Sequence, residues 1–418
     1  MSLMHDPNSV DPTIEGVRLR DIADRFGTPT LVYSRSEIDA RVTRFVRAFG
    51  ELDHLPCYAV KANNNLSILS LMAKRGMGFD VVSGNELERV LHARGDASKV
   101  VFSGVGKLAE EIDFALFAGV LSINVESSDE FELILERAAL AGIRAPLSVR
   151  VNPDIRVSTH PFIATGDKTT KFGVSRDEAV SLLLRADASP HARTVGIACH
   201  LGSQMTDADP LVRACSLLLN LVDELQARGV ALELIDLGGG FGICYENEPE
   251  FGLDEYVRAI SGHLAGRGLK LVTEPGRYLI ANAGTLLTRV IRTKTSDAQL
   301  FAIVDAAMND LMRPSLYQAW HRVSNAYPSS DEASDGPWEI VGPICETADT
   351  LASGRELAIA KGDLLSIDAC GAYVSVLSSN YNARNRVAEV LVDGDSMRLV
   401  RRRECLNDQL ALETPFLE

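Results

Sequence analysis

Short runs rich in β-branched residues alternate with longer helical patterns between residues 30 and 285. This alternation is typical of a parallel sheet whose strands are joined by helical crossovers. Eight such runs are present, and that number fits a closed (β/α)8 barrel of the TIM type. The predicted strands are CYAVKA (57–62), GFDVVS (78–83), KVVFSG (99–104), LSINVE (121–126), PLSVRVN (146–152), TVGIACHLG (194–202), ELIDLGGG (233–240) and KLVTEPG (270–276).

The pattern changes after about residue 285, where strand-like segments follow one another across turns and helical periodicity is weak outside about 310–322. A chain of 418 residues is long enough for a barrel with an appended domain. We therefore predict a second, mostly-β domain, with the polar stretch YPSSDEASDGP (327–337) as an exposed insertion. Its predicted strands are GTLLTRVIRTKT, QLFAIVDAA, WEIVGPIC, DLLSIDACGAYV and RVAEVLVDG.

Composition excludes several classes of protein. Hydrophobic residues make up 46% of the chain and charged residues 24%, the profile of a soluble globular protein. A net charge of −15 argues against a nucleic-acid partner, because phosphate backbones are bound by concentrated Lys and Arg. The N-terminus MSLMHDPNSVDP lacks the apolar stretch of a signal peptide, so we expect a cytoplasmic protein with no membrane partner. The seven cysteines are scattered without a C-x-x-C pair, which predicts reduced thiols and no metal site.

Polar and charged residues follow six of the eight predicted strands. In (β/α)8 barrels the catalytic groups come from the carboxyl ends of the strands. These residues should therefore surround one site at the mouth of the barrel. They are Lys61; Asp80 and Ser83; Arg150 and Asn152; His200 and Ser203; Gly238 to Gly240; and Glu274 to Arg277.

The loops after the seventh and eighth strands predict a phosphate site. Barrels of this kind often bind phosphate at these two loops. In DLGGGFG (236–242) the glycines leave backbone N–H groups accessible, and EPGR (274–277) adds another glycine and a fixed cation. A tight turn without a ligand explains the three glycines equally well.

Lys61 is the residue on which the cofactor prediction depends. A lysine among apolar strand residues loses hydration, which favours the neutral amine that attacks aldehydes. An ion pair with Asp80 is the alternative interpretation. Glu274 at the same mouth could keep a pyridine nitrogen protonated. A lysine, a phosphate site and an acid together point to pyridoxal 5'-phosphate as the cofactor.

Three more residues at this mouth are open to structural interpretations. His200 either stacks on the cofactor ring or is a histidine whose hydrogen bonds are satisfied at the strand end. Asp80 orients the lysine or the histidine, or only makes the mouth polar. Arg150 is compatible with a structural ion pair.

The order of these residues resembles that of the fold-type III pyridoxal-phosphate-dependent decarboxylases, most closely the diaminopimelate decarboxylase family. The similar stretches span residues 57 to 373. They are YAVKAN, FDVVSGNEL, RVNPD, STHPFIATGDKTTKFGV, HLGSQ, DLGGGFG, EPGRYLIANAG, MNDLMRPSLYQAWH, GPICETAD and DACGAY.

The resemblance implies the domain organisation and the assembly. Residues 33–283 would form the barrel that binds pyridoxal phosphate. Residues 1–32 with 284–418 would form the β-rich domain of an alanine racemase-like fold. The protein would be a homodimer with shared active sites, to which the β-rich domain contributes substrate and catalytic residues across the interface.

The resemblance also implies the cofactor site. Lys61 would bind the cofactor covalently, Glu274 would face its ring nitrogen, and His200 would stack on its ring. The full set implied for cofactor binding is Lys61, Asp80, His200, Ser203, Gly239, Gly240, Glu274, Gly276, Arg277 and Tyr373.

The implied reaction is decarboxylation of meso-2,6-diaminopimelate to L-lysine and carbon dioxide, the last step of lysine biosynthesis. Cys345 of the partner chain would be the acid that reprotonates the reacting carbon. Arg277 and Arg313 suit the distal carboxylate of this substrate, and Glu346 its distal ammonium. The residues implied for substrate binding are Arg277, Arg313, Tyr317, Glu346 and Tyr373.

Alternatives remain at this point. Arg313 is also compatible with a salt bridge at the domain interface. A decarboxylase for another basic amino acid, such as D-ornithine or D-lysine, on the same fold is a second alternative. A non-catalytic paralogue is a further alternative, although such a protein would be expected to lose Lys61 or Cys345.

Local signals add several structural predictions. The long stretch 153–175, with Gly166, Lys168, Thr169 and Thr170, is either a lid beside the substrate or a structural loop. Asn63 to Asn65 are predicted to form a loop and helix cap. Ser83 and Glu86 predict a capping box, and Gly142 predicts the end of a helix.

Overall fold

The structure, a computed structural model, describes residues 11–155, 165–166, 170–297, 299–329 and 333–417. It divides into two compact units. One unit comprises residues 42–243 and 249–278, and the other comprises the described residues of 1–41, 244–248 and 279–418. We call them the barrel unit and the β-rich unit.

From residue 11 onward, the chain forms a short hairpin, two helices and one strand before the barrel begins. The hairpin pairs two strands of two residues each in antiparallel fashion. These elements are β1 (Thr13–Ile14), β2 (Val17–Arg18), α1 (Leu19–Phe26), β3 (Thr30–Ser34) and α2 (Arg35–Ala48).

Eight parallel strands close the barrel, as the alternation in the sequence predicts. Each strand pairs with the next along the chain, and the eighth pairs with the first. Every predicted run overlaps one of them and extends past its end, and three of the strands begin before their predicted runs. The strands are β4 (His54–Ala59), β5 (Gly78–Val81), β6 (Val100–Phe102), β7 (Ser122–Val125), β8 (Ala145–Arg150), β9 (Ala192–Ala198), β10 (Leu234–Asp236) and β11 (Lys270–Thr273).

In the part of the chain that the structure describes, seven helices connect these strands, and their ends follow the local signals. Asn65 caps the first of them by accepting the Ser67 N–H at 2.9 Å, which confirms the predicted helix cap. Gly142, in the left-handed region with φ of 65°, ends the fourth, as predicted. The helices are α3 (Leu66–Lys74), α4 (Gly84–His92), α5 (Ala109–Ala118), α6 (Ser128–Ala141), α7 (Arg176–Ala188), α8 (Asp209–Ala227) and α9 (Leu253–Leu264).

The predicted capping box of α4 forms in part. Ser83 Oγ accepts the Glu86 N–H at 3.2 Å, as expected of an N-cap. The Glu86 carboxylate, however, accepts the N–H of Val82 at 2.8 Å and not that of Ser83. The reciprocal half of the box is therefore displaced by one residue.

Apolar side chains fill the barrel below its mouth. Cys57, Val101, Leu234 and Val272 form a buried cluster contributed by four strands. Because the interior is packed there, space for a ligand is left towards the carboxyl ends of the strands, where catalytic residues of such barrels are found.

The β-rich unit contains one nine-stranded sheet in the part of the chain that the structure describes. Its longest strand, of 13 residues, pairs with β3 and with two C-terminal strands. The elements of this part of the chain are α10 (Arg277–Ile280), β12 (Gly284–Ser296), β13 (Gln299–Val304), α11 (Arg313–Tyr317), β14 (Val323–Tyr327), β15 (Ser334–Val341), β16 (Thr350–Ile359), β17 (Leu364–Ile367), β18 (Ala388–Asp393), β19 (Ser396–Arg401) and α12 (Leu406–Leu410).

The predicted strands of this unit are confirmed, but the list was incomplete. The sequence reading missed β14, β16 and β19. Strand β16, TLASGRELAI, contains a glycine and several exposed polar residues, so its hydrophobic pattern is weak. The segment DACGAYV, predicted as a continuation of β17, lies beyond the end of that strand.

None of the helices described in the structure has the length and apolar character needed to cross a membrane. All seven cysteines are free thiols.

Candidate active site

Four of the predicted strand-end residues line one cavity of about 440 Å³ in the barrel unit, and the others, such as Ser83 and Asn152, are not part of its lining. A cavity of this size is within the usual range for small-molecule sites. Thr165, Lys171 and Phe172, from the loop between β8 and α7, also line it. The polar side chains contributed by the strand ends are Lys61, Ser103, Asn124, Arg150, His200 and Glu274.

Lys61 lies in a short 3-10 turn, Val60–Ala62, directly after β4. Its Nζ forms an ion pair with the carboxylate of Asp80 on β5, so the ion-pair interpretation is confirmed. Asp80 is fully buried, whereas the side chain of Lys61 is 35% exposed and faces the cavity. The ion pair thus places the amine at the cavity wall and leaves it accessible.

Three buried carboxyl groups accompany Lys61: those of Asp80, Asp236 and Glu274. Burial raises the pKa of Glu274 well above its usual value, and the charges of Asp236 and Asp80 raise it further. Burial also raises the pKa of Asp236, although its Oδ1 accepts the Gly238 N–H at 2.8 Å. Within the described residues, Asp80 Oδ1 has no hydrogen-bond partner. This end of the barrel therefore has more acidic groups than Lys61 alone can neutralise.

His200 presents a neutral imidazole to the cavity. Its Nδ1 accepts the Gly239 N–H at 3.1 Å, so the proton of the neutral ring is on Nε2. Desolvation lowers the pKa of His200 well below its usual value, and the cations Arg150 and Lys61 lower it further. The ring is thereby held in one orientation and in one protonation state.

The three glycines after β10 are required by close packing. A Cβ on Gly238, which has φ of 67°, would lie 2.6 Å from the carbonyl oxygen of Cys199. A Cβ on Gly239 would collide with the carbonyl oxygen of Glu274. The tight-turn interpretation is therefore correct, and it does not exclude a phosphate. Since the Gly239 N–H already binds His200, its predicted phosphate contact stays a prediction.

Ser203 and Arg277 are brought together, as expected for residues of one phosphate site. Arg277, buried at the start of α10, donates from Nη2 to Ser203 Oγ at 3.0 Å. Next to it, a Cβ on Gly276 would lie about 3 Å from the methyl groups of Ala59 and Ala62. The backbone after β11 therefore passes close to the turn that carries Lys61.

Arg150 forms an ion pair, as one interpretation predicts. Its Nη1 is 2.8 Å from the carboxylate of Glu126, and its guanidinium lies over the Phe172 ring at 4.7 Å. The same carboxylate accepts the N–H groups of Gly173 at 2.8 Å and Gly104 at 3.3 Å. Glu126 thus joins three segments of the cavity wall.

The predicted lid lies beside this wall where the structure describes it. Gly166 N–H donates to the carbonyl of Leu201 at 3.0 Å, and the Thr170 hydroxyl donates to the carbonyl of Thr165 at 3.0 Å. Lys168 and Thr169 lie outside the described residues.

In the β-rich unit, the first residue of α11 is held in a defined orientation. Arg313 is buried, and its Nη1 is 2.7 Å from Nε2 of His321. Its guanidinium also stacks on the Tyr245 ring at 4.3 Å. Tyr317 ends the same helix, and Tyr373, with φ of 56°, lies in the turn after β17.

Cys345 and Glu346 are exposed in the loop between β15 and β16. The Cys345 N–H and thiol lie 3.3 Å and 3.4 Å from Asn382 Oδ1. A hydrogen bond with the Glu346 carboxylate raises the pKa of Tyr381. Asp349, which is buried, supports the loop by accepting the N–H groups of Ile344 at 2.7 Å and Met308 at 2.6 Å.

Comparison with known proteins gives the family. A family model described as pyridoxal-dependent decarboxylase, pyridoxal binding domain, matches residues 35–281. The chain is 51% identical over 400 residues to the diaminopimelate decarboxylase of Pseudomonas aeruginosa, with 96% of each chain covered. It is 46% identical to that of Vibrio cholerae, with 97% of each chain covered. The chain belongs to the diaminopimelate decarboxylase family.

Solved structures of the family have the same fold. Diaminopimelate decarboxylase from Helicobacter pylori, complexed with L-lysine, has a TM-score of 0.91 at 39% identity and covers 95% of this chain and 100% of its own. The enzyme from M. jannaschii, in co-complex with L-lysine, has a TM-score of 0.92 at 34% identity, with 99% and 98% covered. The predicted barrel with an appended β-rich domain is therefore confirmed.

The cofactor of this pyridoxal-dependent family is pyridoxal phosphate, and the residues at the barrel mouth fit it. Lys61 supplies an amine at the cavity wall. The excess of acidic groups, with Glu274 among them, suits a cationic ring nitrogen, and the pair Ser203 and Arg277 suits a phosphate. The oxygen of Asp80 without a hydrogen-bond partner is a further sign of an environment built for positive charge.

Sequence reasoning missed four residues that support the diaminopimelate decarboxylase site. Glu126 ends a predicted strand, so the rule applied to the other strand ends could have found it. Asp236 ends the observed strand β10 but lies inside the longer predicted run 233–240. His321 and Asp349 end the stretches MNDLMRPSLYQAWH and GPICETAD, where no short-range pattern indicates that they are buried.

Proposed function

We propose that this chain decarboxylates meso-2,6-diaminopimelate to L-lysine and carbon dioxide, the last step of lysine biosynthesis, as a pyridoxal-phosphate-dependent carboxy-lyase. The observation that carries this proposal is the sequence identity of 51%, over nearly the whole chain, to a diaminopimelate decarboxylase. The complexes of two relatives with L-lysine, the product of this reaction, support it.

Bound pyridoxal phosphate would supply the electron sink for the electron pair left when carbon dioxide departs. Lys61 would hold the cofactor through Nζ, with Asp80 orienting the amine. Glu274 would keep the ring nitrogen protonated, a role that its raised pKa supports. His200, whose neutral imidazole is held in one orientation by the Gly239 N–H, would lie against the ring.

The phosphate group is assigned to the loops after β9, β10 and β11. Arg277 supplies the fixed cation and Ser203 a hydroxyl, and the two are already hydrogen bonded to each other. Backbone N–H groups of glycines approach a phosphate closely because no side chain is in the way. The remaining residues of this assignment are Gly239, Gly240, Gly276 and Tyr373.

The substrate is assigned by charge. Its distal carboxylate needs a cation, for which Arg313 and Arg277 are the candidates. Its distal ammonium needs an anion, for which Glu346 is the candidate. Tyr317 and Tyr373 complete the set with hydroxyl groups.

Cys345 donates a proton from Sγ to the carbon that has lost carbon dioxide. The thiol is exposed in the single chain, whereas proton transfer to a carbanion requires a site from which water is excluded. This contrast supports a homodimer in which residues 1–32 with 284–418 of one chain complete the site on barrel 33–283 of the other. The dimer is assigned to the cytoplasm, where lysine biosynthesis takes place.

Carbon dioxide release from four compounds tests the substrate. We expect meso-diaminopimelate to have the highest kcat/KM when it is compared with D-ornithine, D-lysine and L-lysine. D-Lysine is the matched control, because it differs from meso-diaminopimelate by the distal carboxylate alone. A higher kcat/KM for D-lysine or D-ornithine would show that diaminopimelate is not the preferred substrate. If no compound released carbon dioxide, the assignment as a decarboxylase would be contradicted.

A further inference from the structure

Arg313 is supported on two sides by residues that the reaction scheme does not include. It is 5% exposed. Its guanidinium carbon lies over the Tyr245 ring, 4.3 Å from the ring centroid, and its Nη1 is 2.7 Å from His321 Nε2. Tyr245 and His321 also contact each other edge to face, with ring centroids 5.4 Å apart. The two rings therefore form a corner into which the guanidinium fits.

The hydrogen bonds of His321 select one tautomer. A guanidinium only donates, so Nε2 of His321 must accept from Arg313. The other ring nitrogen, Nδ1, lies 2.8 Å from the backbone carbonyl of Asp368, which only accepts. Both neighbours thus require the neutral ring with its proton on Nδ1. The ring is fully buried and has no freedom to exchange these roles.

A neutral imidazole orients the guanidinium without adding negative charge. An aspartate or glutamate in the place of His321 would also accept from Arg313, but its charge would compete with an incoming carboxylate. Arginine binds carboxylates strongly when its planar group is held so that two N–H groups point at the two oxygens. Direction, and not only charge, is therefore what the histidine provides.

We propose that His321 is a positioning residue that directs Arg313 at the distal carboxylate of the substrate and thereby sets the preference for diaminopimelate over amino acids without that group. Tyr245 has the same role on the other side of the guanidinium. This inference rests on the proposed contact between Arg313 and the substrate.

The two amides that resemble histidine separate its two hydrogen bonds. In His321→Gln the side-chain oxygen can replace Nε2 as acceptor for Arg313, and the bond to the Asp368 carbonyl is lost. In His321→Asn the side-chain NH₂ can replace Nδ1 as donor to Asp368, and the acceptor for Arg313 is lost. Both variants bury one neutral amide group, and they differ in size by one methylene.

The readout is the ratio of the inhibition constants of cadaverine and L-lysine, which differ only by the carboxylate. We expect the wild-type protein to bind L-lysine more tightly, and Arg313→Gln to remove the difference. His321→Asn should reduce the ratio roughly tenfold or more, as the loss of one hydrogen bond to a charged group implies. His321→Gln should retain most of the wild-type ratio. The visible absorption of the cofactor reports whether the barrel site remains intact in each variant.

Several results would overturn the inference. If His321→Asn keeps the wild-type ratio while Arg313→Gln loses it, His321 does not position the arginine. If the Asn and Gln variants lose the ratio equally, the histidine is structural only. If Arg313→Gln keeps the ratio, the substrate contact of Arg313 is wrong and the inference falls with it, whereas activity on meso-diaminopimelate still tests the proposed function separately. Should His321→Asn not fold, Tyr245→Leu must reduce the ratio for the proposal to stand.

Discussion

Charge balance around Lys61 shows how individual residues prepare the barrel mouth for a cofactor. Asp80 pairs with the amine, while Asp236 and Glu274 add two further buried acids. Burial of several like charges is unfavourable, which is why the pKa of Glu274 is raised. A bound group that carries positive charge relieves this repulsion, so the strain between these residues favours the cofactor.

Lys61→Ala tests the covalent attachment. We expect the variant, incubated with pyridoxal phosphate, to lack the visible absorption band of the lysine-bound cofactor. Its turnover should fall by at least about 10³-fold, because no other amine replaces the lost nucleophile. Absorption spectroscopy and carbon dioxide release measure the two effects.

Lys171→Ala is the matched control, because Lys171 lines the same cavity. It should keep the absorption band. If the band persists in Lys61→Ala and disappears in Lys171→Ala, the cofactor is attached to Lys171 and the assignment to Lys61 is wrong.

The first turn of helix α4 contains Glu86, whose carboxylate interacts electrostatically with Asp80 of the site. Burial raises the pKa of Glu86 to about 7, and the charge of Asp80 contributes to the rise. The folded protein therefore keeps this proton up to about pH 7, whereas the unfolded chain loses it near the ordinary glutamate pKa of 4.5. Between these two pH values the folded state binds more protons than the unfolded chain. The contribution of Glu86 to the free energy of unfolding therefore falls as the pH rises.

Glu86→Gln tests this linkage in the apoprotein. The amide accepts the Val82 N–H but cannot ionise, so we expect the loss of unfolding free energy between pH 5.5 and pH 8 to become smaller. The expected change is on the order of 1 kcal/mol, since a pKa unit corresponds to about 1.4 kcal/mol and the group is partly solvated. Urea unfolding at both pH values measures it, with Glu88→Gln on the same helix as the control. Equal pH dependence in wild type and Glu86→Gln would show that Glu86 is ionised throughout.

The loop that carries Cys345 is an element shaped by one buried carboxylate. Asp349 accepts two backbone N–H groups, and a Cβ on Gly342 would collide with its oxygens. The loop therefore has one compact arrangement, and the direction of the Cys345 thiol depends on it.

Asp349→Ala should disturb the Cys345 loop without disturbing the cofactor site. We expect kcat to fall roughly 10-fold to 100-fold, because the proton donor is displaced, and the absorption of the bound cofactor to remain. The free energy of unfolding should decrease by about 1–3 kcal/mol, the cost of leaving buried N–H groups unsatisfied. Glu356→Ala, an exposed acid on β16, is the control and should change neither quantity. An unchanged kcat in Asp349→Ala would show that the arrangement of this loop does not affect proton transfer.

At the scale of the whole molecule, the exposed thiol of Cys345 and the amine of Lys61 at the cavity wall belong to different units of the chain. If two chains share active sites, two different inactive variants should complement each other. Each heterodimer of Lys61→Ala with Cys345→Ala would contain one site with both residues intact.

Co-expression of these two variants with different tags tests the shared site. The purified heterodimer should have about half of the wild-type activity, because one of its two sites keeps both residues. Carbon dioxide release is measured on the mixed species purified through both tags. A purified heterodimer without activity would contradict the shared site, and a protein that elutes as a monomer would contradict the dimer.

The sequence by itself determined the barrel, the order of its strands and the residues that chemistry requires at their ends. These properties depend on short-range patterns: β-branched runs, helical periodicity, and caps such as Asn65 and Gly142, all of which act within a few residues. Lys61 and Glu274 were recognisable because a charged residue at the end of an apolar strand is unusual wherever it occurs.

Only the tertiary structure decided what supports those residues. Glu126 becomes important because Gly104, Arg150 and Gly173 converge on it, and His321 because Tyr245, Arg313 and Asp368 surround it. These partners are separated by up to tens of residues along the chain, so no local pattern reports them. Burial and hydrogen bonding between distant segments, which arise only on folding, thus determined which polar residues orient the site.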